Sequence, residues 1–202
     1  MRLTELPPDW QERIRAEERA KREALELFVR GCATGDAQVV FDAIDPLLFS
    51  GAMKTAFRRV GALGHVPADF RVRFQAFWMS AGDSIRSEVN DDLVLIQALR
   101  MLLPPYKGVG VTLYRGESAW NRSRRTYGTS WSAELEVADQ WAQRDYLRSA
   151  KGGSVVLRTV APPEAILCAV THHHDDRYGE AEYVVDRRRL RAVEVVRRYD
   201  QR

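Results

Sequence analysis

Three short stretches in the second half of the chain carry side chains that could form a nucleotide site: Leu113–Gly116, Tyr127–Ser132 and Tyr178–Val185. In the first stretch, Arg115 stands at the end of a predicted strand. Its guanidinium offers a fixed fork of donors that fits phosphate or ribose oxygens. Gly116 follows it and lets a ligand approach the backbone closely. This pattern indicates a nucleotide-binding strand end.

Paired hydroxyls and paired carboxylates characterise the other two stretches. Ser130 and Ser132 alternate on an extended segment, which places both hydroxyls on one side. Glu180 and Glu182 do the same at the start of a predicted strand. Two carboxylates on one face repel each other, which tends to separate their pKa values and allows them different roles.

Taken in this order, the three stretches resemble the R-S-E class of ADP-ribosyltransferases, which includes bacterial toxins and arginine-modifying transferases. The resemblance covers roughly the last ninety residues, 109–200. It departs from the family pattern in the central motif, which is usually Ser-Thr-Ser and here is Ser130-Trp131-Ser132. The middle side chain is expected to point away from the site, so a tryptophan is compatible with the motif. A neighbouring register that uses Thr129 is the alternative.

The resemblance implies a role for each side chain. Arg115 would hold NAD+ through its ribose and phosphate oxygens, and the Gly116 backbone would bind the nicotinamide amide. Ser130 would bond on the nicotinamide ribose side and orient Glu182, with Ser132 as a further cofactor-binding residue. Glu182 would be the catalytic carboxylate, which bonds to the ribose 2′-hydroxyl and stabilises the oxocarbenium ion formed as nicotinamide leaves.

Two further residues are assigned to the acceptor by the same resemblance. Glu180 would orient the attacking group or accept its proton, and Tyr178 would lie on the loop that meets the target. In the family, Glu at the first position goes with arginine acceptors. The implied reaction therefore moves ADP-ribose from NAD+ to a macromolecule, with protein arginine as the first expectation. RNA or DNA as acceptor, an NAD+ glycohydrolase and a non-catalytic basic adaptor are the alternatives.

The same residues also have structural interpretations. Arg115 could pair with Glu117 on the surface, and Ser132 could cap the helix that starts at Glu134. The arginines of segment 122–125 could reach the pyrophosphate or could form a basic turn. His172–His174 and the two aspartates after them suggest a metal cluster, but adjacent histidines in an extended segment point to opposite faces. We therefore expect no metal cofactor.

Around these stretches, the pattern predicts an α+β fold. Helices are expected first, with Asp9 capping the first of them and Gly31 ending it; they cover 10–30, 36–49, 51–62, 68–80 and 90–103. After Pro104, strands are expected at 109–114, 154–160, 166–170, 183–186 and 191–199, with a helix over 134–149. This divides the chain into a helical region, 1–107, and an NAD-binding core, 108–202, and we expect the core to form one compact unit with most of the helices. The resemblance implies that this core is two packed, mainly antiparallel β-sheets with NAD+ between them.

Composition limits the classes of protein that need consideration. The chain has 202 residues, 45% of them hydrophobic, which is enough for a core and excludes global disorder. A net charge of +3 permits an anionic partner without requiring one. Two isolated cysteines suggest a reducing compartment. No apolar run indicates a signal peptide or a membrane span, so we expect a cytoplasmic protein without a membrane partner. At family level, a toxin or phage effector with a neutralising or activating protein partner fits.

Overall fold

The computed structural model describes residues 7–48, 50–170 and 182–202. The chain separates into two compact units, one before and one after the Pro104–Pro105 boundary. Helices form the first unit, and an antiparallel sheet with short helices forms the second. The α+β class predicted from the sequence, with helices preceding the strands, is confirmed.

Within its described residues, the first unit is built from five helices that bury apolar stripes. They are α1 (Pro8–Thr34), α2 (Ala37–Leu47), α3 (Met53–Gly61), α4 (Ala68–Val89) and α5 (Asp92–Leu102). The core contains the buried rings of Phe28, Phe57, Phe70 and Phe74. Helix α1 packs along α2, and α3 packs along α5. Among the described residues, no helix joins the length to the apolar character that a membrane crossing needs.

Helix α1 differs from the prediction at both ends. It begins at Pro8, so Asp9 lies in the first turn and does not cap it. It continues through Gly31 to Thr34 and is capped by Gly35, whose φ of 80° is a left-handed conformation that favours glycine. Gly31 serves close packing, because a Cβ added there would lie 2.7 Å from Val40 Cγ2 on α2. The predicted end at Gly31 is therefore wrong.

The described part of the second unit contains six strands and three short helices. The strands are β1 (Val111–Ser118), β2 (Ser130–Ser132), β3 (Ser154–Ala161), β4 (Ile166–Ala169), β5 (Glu182–Val185) and β6 (Glu194–Tyr199). The helices are α6 (Ala119–Arg124), α7 (Leu135–Ala142) and α8 (Asp145–Arg148). The single helix predicted over 134–149 is thus divided into α7 and α8. The strands have the order β4-β5-β2-β1-β3-β6, with all neighbours antiparallel.

The sheet consists of two three-stranded halves that meet at β1 and β2. In the described residues, these two strands are in register at one position, Tyr114 with Ser132, whereas β1 pairs with β3 at eight positions. The resemblance implies two packed sheets, but the described strands form one hydrogen-bonded sheet. The two halves form a single sheet because β1 pairs with β3 along one side and with β2 along the other.

The two faces of the sheet are covered differently. One face carries the main apolar cluster, which includes Leu113, Trp131 and Leu157. On the other face, α7 packs its two buried alanines, Ala138 and Ala142, against Val156. Alternation along β3 shows how far α7 reaches on this face: Ser154 and Val156 are buried, whereas Arg158 and Val160 are exposed. The second face is therefore closed at one end of the strands and open at the other.

Candidate functional site

A row of side chains crosses four strands at the edge of the region that α7 covers. Ser132 is in register with Glu182 on β5 and with Tyr114 on β1, and Tyr114 is in register with Arg158 on β3. Directly opposed residues on antiparallel strands share a face and lie about 5 Å apart at Cβ. We call Glu182, Ser132, Tyr114 and Arg158 the cross-strand row. It places a carboxylate, two hydroxyls and a guanidinium on one face.

The two predicted serines lie on this face. Ser130 is opposite Val184 and Ser132 is opposite Glu182, so both side chains point the same way. Ser132 is buried, and its Oγ accepts a hydrogen bond of 2.9 Å from the Glu134 backbone N–H. That bond orders the turn into α7, which begins one residue later. Ser132 therefore orders the turn that precedes α7, but it does not cap the helix as the structural interpretation predicts, because the N-cap position is Glu134 and has no side-chain cap.

Trp131 between the serines points to the opposite face, as expected. Its ring is 2% exposed and belongs to the main apolar cluster. Its indole N–H donates to the Gly128 carbonyl over 3.2 Å, which satisfies the one polar atom of the side chain. A tryptophan in the central motif thus fills a core position and leaves the serine face unchanged.

Gly116 lies directly beneath α7. A Cβ added at this position would come within 2.4 Å of both the Ala138 carbonyl oxygen and the Ala142 nitrogen. Both atoms belong to the backbone of α7, so the clash could not be relieved by the movement of a flexible side chain. The close approach that this glycine permits is therefore an approach of α7, at the place where the resemblance puts the nicotinamide amide.

Arg115 leaves β1 on the face opposite Tyr114, because side chains alternate along a strand. Its Nε donates to Glu117 Oε2 over 3.0 Å, and its Nη1 donates to the Ser130 carbonyl oxygen. A Cβ on Gly128 would lie 2.2 Å from Nη2, so the guanidinium rests against that backbone. The structure therefore brings Arg115 to the place where β1 and β2 meet, which we call the β1–β2 joint, but not onto the face of the cross-strand row.

Glu117 is the residue that fixes this side of the joint. It is 2% exposed, and its Oε1 accepts from the Ser118 N–H (2.9 Å) and the Asn121 side-chain amide (3.0 Å). Its Oε2 accepts from Arg115 and from the Gly128 N–H (3.1 Å). Burial raises the pKa of this carboxyl, but the charge of Arg115 and the donated hydrogen bonds outweigh it, and the pKa lies below its ordinary value. The ion pair considered as a structural alternative is present, and it is buried.

Arg158 is the candidate functional residue that the sequence reasoning missed. It is exposed and is the one charged residue of β3. Glu194 on β6 is in register with it, but no ion pair joins Arg158 to a carboxylate among the described residues. The one sequence signal was a lone cation within the run Ser154–Ala161. It lines a groove of about 620 Å³ that also contains Glu164, Arg191 and Glu194 and none of the predicted site residues.

The remaining predicted positions lie outside the described residues. These are Tyr178 and Glu180, assigned to the acceptor, and the histidine cluster with its neighbouring aspartates. Within the described ranges, no group of three or more His, Cys, Asp or Glu side chains could hold a metal ion.

Comparison with known proteins gives no family for this chain. A scan against family models, a search of curated proteins and a search of solved structures each return no match. A function must therefore be inferred from the residues themselves. Chemically, the cross-strand row could accept hydrogen bonds from ribose hydroxyls at Glu182, stabilise positive charge beside that carboxylate, and bind an anion at Arg158.

Proposed function

We propose that the second unit transfers ADP-ribose from NAD+ to a macromolecular acceptor and releases nicotinamide. The observation that carries this proposal is the register that joins Tyr114, Ser132 and Glu182 across β1, β2 and β5. The described parts of the three stretches are distant in sequence, yet they contribute to three adjacent strands, with Ser130–Ser132 as β2 and Glu182–Val185 as β5. The resemblance to the R-S-E class requires these strands to be neighbours, and nothing in the local sequence patterns imposes that order. The Arg115 side chain itself lies on the opposite face.

Glu182 is the proposed catalytic carboxylate. Its position in the row lets it accept a hydrogen bond from the 2′-hydroxyl of the nicotinamide ribose. When the bond from ribose C1′ to nicotinamide breaks, the electron pair leaves with nicotinamide and positive charge develops on the ribose. A fixed carboxylate beside that ribose stabilises the charge. The acceptor nucleophile then bonds to C1′ and loses its proton. Ser130 and Ser132 line the same face and orient the ribose.

The two arginines receive different roles in this proposal. Arg158 shares the face of Glu182 and binds the phosphates of NAD+. Three strand spacings of about 4.8 Å separate the two backbones, roughly 14 Å, which a ribose and a pyrophosphate span together with the two side chains. Arg115 is a positioning residue, because its bond to the Ser130 carbonyl holds the start of β2 against β1.

The first experiment measures nicotinamide release from NAD+, with and without cell lysate. Wild type should release nicotinamide, and Glu182→Gln should be slower by about 10²–10³-fold, the range found when one preorganised group that stabilises a transition state is removed. The matched control is Glu136→Gln, which removes an exposed carboxylate from α7. Stimulation by lysate would indicate transfer, and release without stimulation would indicate the glycohydrolase. Absence of release from folded wild type in both conditions would overturn the proposal and leave the non-catalytic adaptor.

A second experiment separates the arginines. Arg158→Ala should raise KM for NAD+ at least about tenfold, equivalent to about 1.4 kcal/mol, with little change in the melting temperature. Arg115→Ala should lower the melting temperature. The control is Arg198→Ala, because Arg198 is exposed on β6 opposite Val155 and so on the other face. If Arg115→Ala raised KM at constant stability while Arg158→Ala had no effect, Arg115 would be the NAD+ ligand.

Treatment of the labelled product with nuclease or protease identifies whether the acceptor is nucleic acid or protein. With protein arginine as acceptor, label from radioactive NAD+ should survive nuclease and disappear with protease. The reverse pattern would identify RNA or DNA as the acceptor.

A further inference from the structure

We propose that Trp120 and the cations around it form a binding surface for single-stranded nucleic acid. Trp120 lies on α6 and is 45% exposed. The Arg124 guanidinium lies 5.0 Å from its ring centroid, and Lys151 Nζ lies 5.8 Å from it. An exposed aromatic ring can stack a base, while cations beside it contact the phosphates that flank that base.

The charge of this surface is uncompensated. Segment 118–133 contains three arginines, Arg122, Arg124 and Arg125, and no Asp or Glu. All three are exposed, as is Lys151, and within the described ranges no carboxylate pairs with any of the four. Each such cation that meets a phosphate releases counterions, which favours a polyanion over a single anion.

Two arginines elsewhere in the second unit differ in this respect. Arg197 pairs with Asp139 at 2.9 Å, and Arg202 pairs with Asp145 at 2.8 Å. The α6 region differs from these two positions because its four cations lie together with no carboxylate paired to them among the described residues. We call Trp120, Arg122, Arg124, Arg125 and Lys151 the α6 surface.

The α6 surface is held rigidly at the end of β1. The Asn121 side chain donates to Glu117, and the Asn121 N–H donates to Ser118 Oγ over 3.1 Å. Arg187 adds a bond from its guanidinium to the Arg125 carbonyl oxygen. A platform that is already ordered loses little conformational entropy when a strand binds to it. This inference concerns binding, and it stands apart from the proposed transferase activity.

The exposed ring and the four cations together favour a single strand over three other anionic ligands. A duplex hides the faces of its bases, so an exposed indole contributes little to binding it. An acidic peptide can pair with the cations but has no base to stack on the Trp120 ring. A free dinucleotide offers a base as well, but its two phosphates match only part of a surface with four cations.

The test is fluorescence anisotropy with fluorescein-labelled 12-nucleotide RNA and DNA, as single strands and as duplexes. Wild type should bind the single strands more tightly than the duplexes. Trp120→Ala should weaken single-strand binding about tenfold, within the range of one lost base stack, and Trp120→Phe should restore most of it. Arg124→Ala should reduce the dependence of log Kd on log salt concentration by about one unit.

The matched control is Trp10→Ala. Trp10 is 53% exposed and has Arg13 5.5 Å from its ring, but Asp9 and Glu12 are its neighbours on α1. This variant should bind as wild type does. Equal binding of single strands and duplexes, unchanged by Trp120→Ala, would overturn the proposal and leave a non-specific basic surface. Complete displacement of the strand by submillimolar NAD+ would reassign the α6 surface to the dinucleotide. Binding without nicotinamide release would support this inference while the transferase proposal failed.

Discussion

Glu117 and Glu182 are two carboxylates near the same joint of the sheet, and their surroundings differ. Glu117 is buried at the end of β1, and each of its oxygens accepts two hydrogen bonds, which is the capacity of a carboxylate. Glu182 is half-buried at the start of β5, in the row with Ser132, Tyr114 and Arg158. Glu117 therefore orders the surrounding backbone, whereas Glu182 lies where a substrate could reach it.

The largest stability effect should come from Glu117→Gln. The substitution removes the negative partner of Arg115 and turns one acceptor oxygen into a donor that faces other donors. We expect a loss of about 3 kcal/mol in the free energy of unfolding, as when one partner of a buried ion pair is removed. Urea denaturation measures it. Glu182→Gln should lose less than about 1 kcal/mol; an equal loss in both variants would erase the distinction between the two carboxylates.

Gly116→Ala tests whether the closed side of the row depends on α7. The added methyl group would meet helix backbone on two sides, so α7 must shift. We expect a loss of about 2 kcal/mol, typical of overpacking in a core. Gly64→Ala is the control, because a Cβ there meets nothing within 4 Å, and it should change stability by less than about 0.5 kcal/mol.

The pH dependence of stability should show whether the negative charge of Glu117 stabilises the joint. Its pKa in the folded protein is below the ordinary value, so its stabilising contribution is full above the unfolded-state pKa. As the pH falls through the folded-state pKa, the carboxylate is protonated and that contribution disappears. The stability difference between wild type and Glu117→Gln should therefore shrink from pH 6 to pH 3. A constant difference would mean that the charge of Glu117 is not what stabilises the joint.

The smallest effect should come from the two serines. Ser132→Ala removes the acceptor for the Glu134 N–H and should cost about 1 kcal/mol. Ser130→Ala should change stability by less than about 0.5 kcal/mol, because the Ser130 hydroxyl has no hydrogen bond within the described residues. Thermal unfolding compares them. If Ser130→Ala were the more destabilising variant, the structural role of Ser132 would be refuted.

Local pattern predicted much of this molecule. Alternation placed Trp131 opposite the serines, because a period of two is imposed by the strand itself. The helices of the first unit followed from their apolar periodicity, but Gly31 was misinterpreted, since a glycine that ends a helix and one that packs against a neighbour look alike in sequence. α4 likewise continues past the predicted 80 to Val89, with Trp78 packed over Gly82.

The pairing of distant strands was beyond such reasoning. Nothing in the sequence states that β2 lies between β1 and β5, and this order decides which residues share a face. As a result, Arg115 was predicted to face the same ligand as Glu182, and Arg158 was missed. The pair of Arg115 with Glu117 was foreseen as a surface contact. Its burial depends on α6 and on the Gly128 backbone, which only the folded chain brings together.

The single register position between β1 and β2 bears on how the sheet opens. Amide hydrogens shared by β1 and β3 are held by a ladder of eight paired positions, so their exchange with solvent should require unfolding of the whole unit. Amides at the contact of Tyr114 with Ser132 belong to one rung and should exchange through a smaller, local separation of the two halves. A molecule that spans the rung would slow that exchange on both strands at once. Deuterium uptake at this position would thus report occupancy before any product is made.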